Sequence, residues 1–402
     1  MRATAVITGL IVAGAIASAQ TPRTTTAMAF DDFRAQWRRT IESAGIAGAA
    51  IAVVEGDRTV FADGEGVADV VTARPVDQRT IFHWASITKT FTAVAIMQLR
   101  DGGRLSLDDA VVRYLPELRA VHDPYGPVEA ITIRHLLSHS AGFRSPTWPW
   151  GGDRRWHPFE PTSWAQLAAM LPYTEVEFAP GSRFQYSNPG IVFLGRIIEQ
   201  LAGEDFEVYV DKHILRPLEM RESYFDATPP YLLAHKSHSY VTRDGVRTER
   251  PFDADTGVTV SNGGLNAPVA DLAKWVSFLL GRPADATRRA RYDTVLSRAS
   301  IEEMWRPVVP AETDGEAPDR DVRMGLGFFV ERHFDRTCVG HGGDQNGFIS
   351  HFYLDPAAGI GYVTAFNTLI EVTPATPRGT KAIDREIRDR VFTEVFPALR
   401  GR

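Results

Sequence analysis

The chain has 402 residues, 44% of them apolar and 23% charged, with a formal net charge of −6. That is the composition of a folded protein with ample material for a core, and with no Lys/Arg-rich block it argues against nucleic acid as a partner. The length exceeds one average domain but suits an α/β protein whose two lobes share a site.

The chain opens with "MRATAVITGLIVAGAIASAQTP". Arg2, the apolar run 3–17 and Ala17-Ser18-Ala19 follow the pattern of a secretory signal peptide, residues 1–19, cut after Ala19. The run is shorter than the ~20 residues that span a bilayer. The expectation is a secreted or periplasmic protein with no stable membrane insertion after cleavage. Residues 20–29 read as a leader. The single cysteine, Cys338, allows no internal disulfide and reads as a small buried apolar residue in a strand-like run.

Residues 30–44 carry apolar positions at helical spacing behind Asp31 and Asp32. "GAAIAVVEGDRTVFADGEGVAD" reads as two strands around a turn at Gly56-Asp57. Residues 86–101 predict a helix that is apolar nearly all round, and so central and buried. "ITIRHLLSH" opens a short helix, and residues 143–164 are loop-like, with Trp148, Trp150, Trp156 and Trp164 either lining an acyl pocket or packing a helical lobe. Helices follow over 189–203 and 267–281. Strands are expected at Met324–Glu331, Thr337–Val339, Gly347–Leu354 and Ile360–Phe366, and a last helix at 382–396. Strands at both ends with helices between predict an α/β (α+β) fold: an antiparallel sheet flanked by helices, with an inserted, mostly helical lobe. The sheet lobe covers about 30–85 and 255–402, and the helical lobe about 86–254.

Lys89 stands out because the chain has only five lysines against 39 arginines. Ser86 lies three residues earlier, on the same helical face. A serine is a poor nucleophile until something takes its proton. A desolvated lysine can do so, whereas an arginine stays protonated. "PGSRFQYSNPG" sets Tyr186 and Asn188 ahead of a helix, where they can relay a proton and hydrogen-bond a carbonyl, although the composition equally suits a plain turn. "VGHGGDQNGF" ends a strand with His341-Gly342-Gly343, where a substrate can lie along a bare edge; the alternative is a tight hairpin turn with an exposed histidine.

On these three motifs the chain resembles the serine β-lactamase-like hydrolases of the class C type, a group of β-lactamases, D-alanyl-D-alanine carboxypeptidases, D-aminopeptidases and esterases with S-x-x-K, Y-x-N and K/H-x-G patterns. The resemblance spans roughly 30–395 and includes "ITIRHLLSHSAGF", "ILRPLEMRESYF", "NGGLNAPVADLAKW" and "GHGGDQNGFIS". It implies Ser86 as nucleophile, Lys89 as its activating neighbour and Tyr186 as the proton shuttle. It further implies that Asn188 holds Lys89 and orients substrate, and that the N–H groups of Ser86 and of Asp344, after the His341-Gly342-Gly343 turn, form an oxyanion hole. His341 replaces a frequent lysine, which weakens the case for an efficient β-lactamase, since a mostly neutral imidazole is a poor anchor for a lactam carboxylate. The expectation is an exported serine hydrolase acting through an acyl-enzyme on a small ester, amide or short D-amino-acid peptide. A carboxylesterase comes first, with a D-Ala-D-Ala carboxypeptidase, D-aminopeptidase or weak β-lactamase as alternatives. Acyl transfer and a non-catalytic cell-wall-peptide sensor stay open.

A G-x-S-x-G elbow is absent from the sequence. His135 and His139 share the i, i+4 spacing of zinc ligands, but no H-E-x-x-H accompanies them and structural hydrogen bonding is the better reading. No metal or cofactor is expected.

Overall fold

A computed structural model describes residues 25–143, 161–250, 256–311, 321–333 and 335–400. The signal-peptide segment, leader residues 20–24, and Trp148, Trp150 and Trp156 lie outside the described residues. Among the described residues no helix is long and apolar enough to cross a membrane.

Helix α1 (Thr25–Ala44) leads into strands β1 (Gly48–Glu55), β2 (Arg58–Asp69) and the short β3 (Arg74–Pro75). After a long, mostly helical middle come β4 (Val309–Pro310), β5 (Val322–Met324), β6 (Phe329–His333), β7 (Arg336–Gln345), β8 (Phe348–Asp355) and β9 (Ile360–Phe366). These nine form one sheet in the order β3-β2-β1-β9-β8-β7-β6-β5-β4, antiparallel throughout. The two ends of the chain meet where Ile51 faces Thr364 and Val53 faces Tyr362.

Helices cover both faces, which is why β1 reads as a continuous apolar run "GAAIAVVE" with no polar face. Ile51, Val53 and Tyr362 pack with Phe33, Trp37, Ile387 and Phe392 from α1 and the C-terminal helices. Ala50, Ala52 and Val54 point the other way, into the core built on helix α2 (Thr88–Asp101). Every residue of α2 from Thr88 to Met97 is buried, and Phe91 stacks on Trp275 with ring centroids 3.8 Å apart. The buried threonines are paired: Thr90 Oγ1 donates to the Ile87 carbonyl and Thr92 Oγ1 to that of Ser261. Those bonds offset the cost of burying hydroxyls and pin α2 to the segment around residue 261.

Three boundaries differ from expectation in ways that shape the site. The helix expected from residue 86 begins at Thr88, and Ser86 sits on a 3₁₀ turn, Ala85–Ile87, ahead of it. The strand expected over Met324–Glu331 breaks in two at Gly325–Phe328, where Gly327 takes a left-handed φ of 77° and a Cβ would lie 2.4 Å from that of Ala93 on α2. The strand expected over Thr337–Val339 runs on to Gln345, so His341-Gly342-Gly343 lies inside β7, and the turn falls at Asn346-Gly347, both with positive φ.

Candidate active site

Strand Ile81–His83 ends at a kink where Ala85 holds φ at +47°, a left-handed value that costs a non-glycine residue about 1 kcal/mol. The kink sets Ser86 at the entrance to α2 and turns Lys89 one turn deeper. Lys89 Nζ lies 2.8 Å from Ser86 Oγ and 2.8 Å from the Asn262 carbonyl oxygen. The lysine is fully buried, and that burial pushes its amine well below the ordinary value of 10.5. The Asn262 carbonyl is held in place because Thr88 Oγ1 accepts the Leu265 N–H and Thr92 donates to Ser261.

Tyr186 and Asn188 come from the turn that opens helix α3 (Asn188–Ala202), where Ser187 Oγ caps the helix by accepting the Gly190 N–H. The Tyr186 side chain lies beside Ser86 on the same cavity, and its ring centroid lies 5.0 Å from Lys89 Nζ. Burial raises the phenol above its ordinary value, so Tyr186 keeps its proton at neutral pH. Its ring stacks on that of His139 at 4.4 Å. His135 and His139 both accept backbone N–H groups at Nδ1, from Thr132 and Ser187 respectively.

β7 forms the opposite wall and comes very close to the Ser86 turn. A Cβ on Gly343 would lie 2.3 Å from the Trp84 carbonyl oxygen. The far end of β7 is tied down by His83, whose ring spans Asn266 Oδ1 at 3.1 Å and Gln345 Oε1 at 3.0 Å. His341 is buried, with Nδ1 2.6 Å from the Gly342 carbonyl, so Nδ1 is the donor and Nε2 is left as a buried acceptor with no hydrogen-bond partner among the described residues. Burial, reinforced by the nearby Lys89, lowers its pKa to about 3, and the imidazole is neutral at any ordinary pH.

The walls enclose a cavity of about 490 Å³ lined by Ser86, Tyr186, Asn188, His341, Gly343 and Asp344, with Lys89 beneath Ser86. The structure thus brings together every residue singled out from the three motifs, but Asn188, expected to hold Lys89, does not do so: the Lys89 amine bonds Ser86 Oγ and the Asn262 carbonyl in its place. It also adds groups that sequence reasoning missed. The Asn262 carbonyl acts through its backbone and carries no side-chain signature. Helix α4 (Thr380–Arg390) brings Lys381, Arg385 and Arg388 to the cavity. Lys381 pairs with Asp344 at 2.7 Å, and the buried Arg388 lies 3.8 Å from Glu331. Cations therefore line the same cavity as Ser86 even though His341 is not one.

The sequence model of the Beta-lactamase family matches residues 29–384. "Protein flp" of Staphylococcus aureus (strain MW2) is 27% identical over 83% of this chain and 62% of its own length. "Esterase EstB" of Burkholderia gladioli is 31% identical over 51% of this chain and 55% of its own. The chain thus spans less than two thirds of the length of either relative. Among solved structures, a penicillin-binding protein homologue from Pyrococcus abyssi, described as octameric, superposes with a TM-score of 0.73 at 27% identity, covering 91% of this chain and 78% of that one. With the antiparallel sheet, the helices on both its faces and the family match over most of the chain, this chain belongs to the β-lactamase family, whose fold it has.

Proposed function

We propose that this chain is an exported serine hydrolase that forms an acyl-enzyme on Ser86 and acts first on small carboxylic esters. The observation that carries the reading is Lys89, fully buried with its amine 2.8 Å from Ser86 Oγ. In its neutral form Lys89 takes the serine proton as Oγ attacks the ester carbonyl. The N–H groups of Ser86 and Asp344 receive the oxyanion. Tyr186 gives its proton to the departing alkoxide and regains one from the Lys89 ammonium. Water then attacks the acyl group and passes a proton back through the same pair. Oriented donors of this kind contribute roughly 10²–10³-fold each. Export is supported by the signal-peptide pattern of residues 1–19.

Neutral His341 favours an ester, which needs no carboxylate anchor. Lys381 and Arg385 on the cavity wall favour a second reading, a D-amino-acid peptidase whose substrate ends in a carboxylate. A parallel rate panel of short-chain esters, a chromogenic cephalosporin and D-Ala-D-Ala peptides separates the two. The expected result is turnover of acetyl and butyryl esters, slow or negligible cephalosporin hydrolysis, and a fluorophosphonate label that maps to Ser86 and disappears in Ser86→Ala. A label on another serine, or none at all with no turnover, contradicts the assignment. A cephalosporin kcat/KM of about 10⁶ M⁻¹s⁻¹ contradicts the substrate reading alone.

A further inference from the structure

His139 ends the segment after the short helix Ile133–Leu137, is 1% exposed, and takes a left-handed φ of 51°. Its contacts converge on one neighbour. Its backbone carbonyl accepts the Gln185 N–H at 2.8 Å. Its ring Nδ1 accepts the Ser187 N–H at 3.1 Å. Its ring face stacks on Tyr186 with centroids 4.4 Å apart and planes 30° from parallel. The N–H groups on both sides of Tyr186, and the tyrosine ring itself, are therefore held by a single residue.

Simple core filling does not explain this choice. An apolar residue would fill the space, but it would leave the Ser187 N–H buried and unpaired. A left-handed backbone with an acceptor at the δ position restricts the residue to few types, histidine and asparagine chief among them. With Nδ1 accepting, the neutral ring carries its proton on Nε2, which has no hydrogen-bond partner among the described residues. The ring is thus kept at the expense of one unsatisfied polar atom, which argues that its position above Tyr186 has value.

We propose that His139 is a positioning residue that fixes the Tyr186 hydroxyl between Ser86 and the leaving group by clamping both flanking N–H groups and the ring. The proposal rests on Tyr186 as proton donor. A misplacement of about 1 Å in such a group can cost on the order of 10²-fold. The loss should depend on how badly the leaving group needs a proton, a dependence that general loosening of the core would not produce.

The experiment compares kcat/KM on ethyl butyrate, whose alkoxide must be protonated, with that on p-nitrophenyl butyrate, whose phenolate leaves unaided. Because kcat/KM reports acylation, the shared butyryl-enzyme does not mask the difference. His139→Ala and His139→Phe should lower the ethyl-to-p-nitrophenyl ratio about tenfold or more, a part of the range typical of general acid catalysis. His139→Asn, which keeps the acceptor and tolerates the backbone, should hold the ratio within about threefold of wild type, on that same scale. Circular dichroism checks folding; if His139→Ala does not fold, the comparison of Asn with Phe decides. An unchanged ratio in the folded Ala or Phe variant, or a fall in Asn with none in Phe, overturns the proposal. Tyr186→Phe serves as the reference: it should show the same signature, and His139→Ala should add nothing to it. If Tyr186→Phe leaves the ratio unchanged, the proton-donor reading fails, and this proposal with it.

Discussion

Lys89 is held in the fold where its charged form is disfavoured. Burial disfavours its ammonium, so the folded chain binds that proton less tightly than the unfolded chain does. The sign of the linkage follows. Below the depressed folded value both states hold the proton and the full cost of burying a charge is present; above the ordinary 10.5 both are neutral and that cost is gone. Stability therefore rises with pH across the window between them, by up to about 1.4 kcal/mol per pH unit from this one group. Lys89→Met has nothing to titrate there. The expected outcome is that any stability advantage of Lys89→Met over wild type shrinks as urea melts are moved from pH 7 to pH 9. A constant difference would mean that Lys89 titrates normally in the fold. The same proton should give kcat/KM its acid limb, because His341, at about 3, and His139, held well below its ordinary value by burial, are already neutral.

At the scale of the element, β7 is where the local reading of the sequence fell short. A histidine followed by two glycines reads as a turn, because glycine weakens a strand and favours bends. Here the glycines make the strand possible. A Cβ on Gly340 would lie 2.1 Å from the Phe352 carbonyl, on Gly342 2.5 Å from the His351 ring, and on Gly343 2.3 Å from the Trp84 carbonyl. What makes residues 340–345 a strand is their pairing with β8, from Gly340 opposite Tyr353 to Gln345 opposite Phe348, which a window of local sequence does not contain. Gly343→Ala should force β7 away from the Ser86 turn and withdraw the Asp344 N–H from the oxyanion. The expected loss is on the order of 10²-fold in kcat with a smaller change in KM, in line with losing one oxyanion donor. An Ala variant with wild-type kcat would show that the close approach of β7 to Trp84 has no part in catalysis.

Across the whole molecule, the site draws on residues 86–89, 139, 186–188, 262 and 341–344, which approach one another only when the chain's two ends share a sheet. The side chains that act through their own chemistry were legible in the sequence: a lone lysine after a serine, a Tyr-x-Asn ahead of a helix, a histidine with two glycines. The groups that act through backbone or packing were not. The Asn262 carbonyl could be any residue's, and the His139 clamp depends on where residues 185–187 come to lie. Lys381 and Arg385 look like the solvated face of an ordinary amphipathic helix until α4 is seen against the cavity. The two-ended sheet was readable because helix and strand periods differ and the strands gather at the termini, while strand ends set by long-range contacts were not.

The central claim is that Lys89 is present for the proton it can accept and not for its charge. The most direct measurement is kcat/KM on one ester for Lys89→Arg and Lys89→Ala, each confirmed as folded by circular dichroism. Arginine keeps the positive charge and much of the length but cannot take the Ser86 proton at neutral pH. Both variants should fall on the order of 10²–10⁴-fold below wild type, the usual cost of a lost base. A folded Lys89→Arg enzyme within about tenfold of wild type, well short of that cost, would contradict the claim.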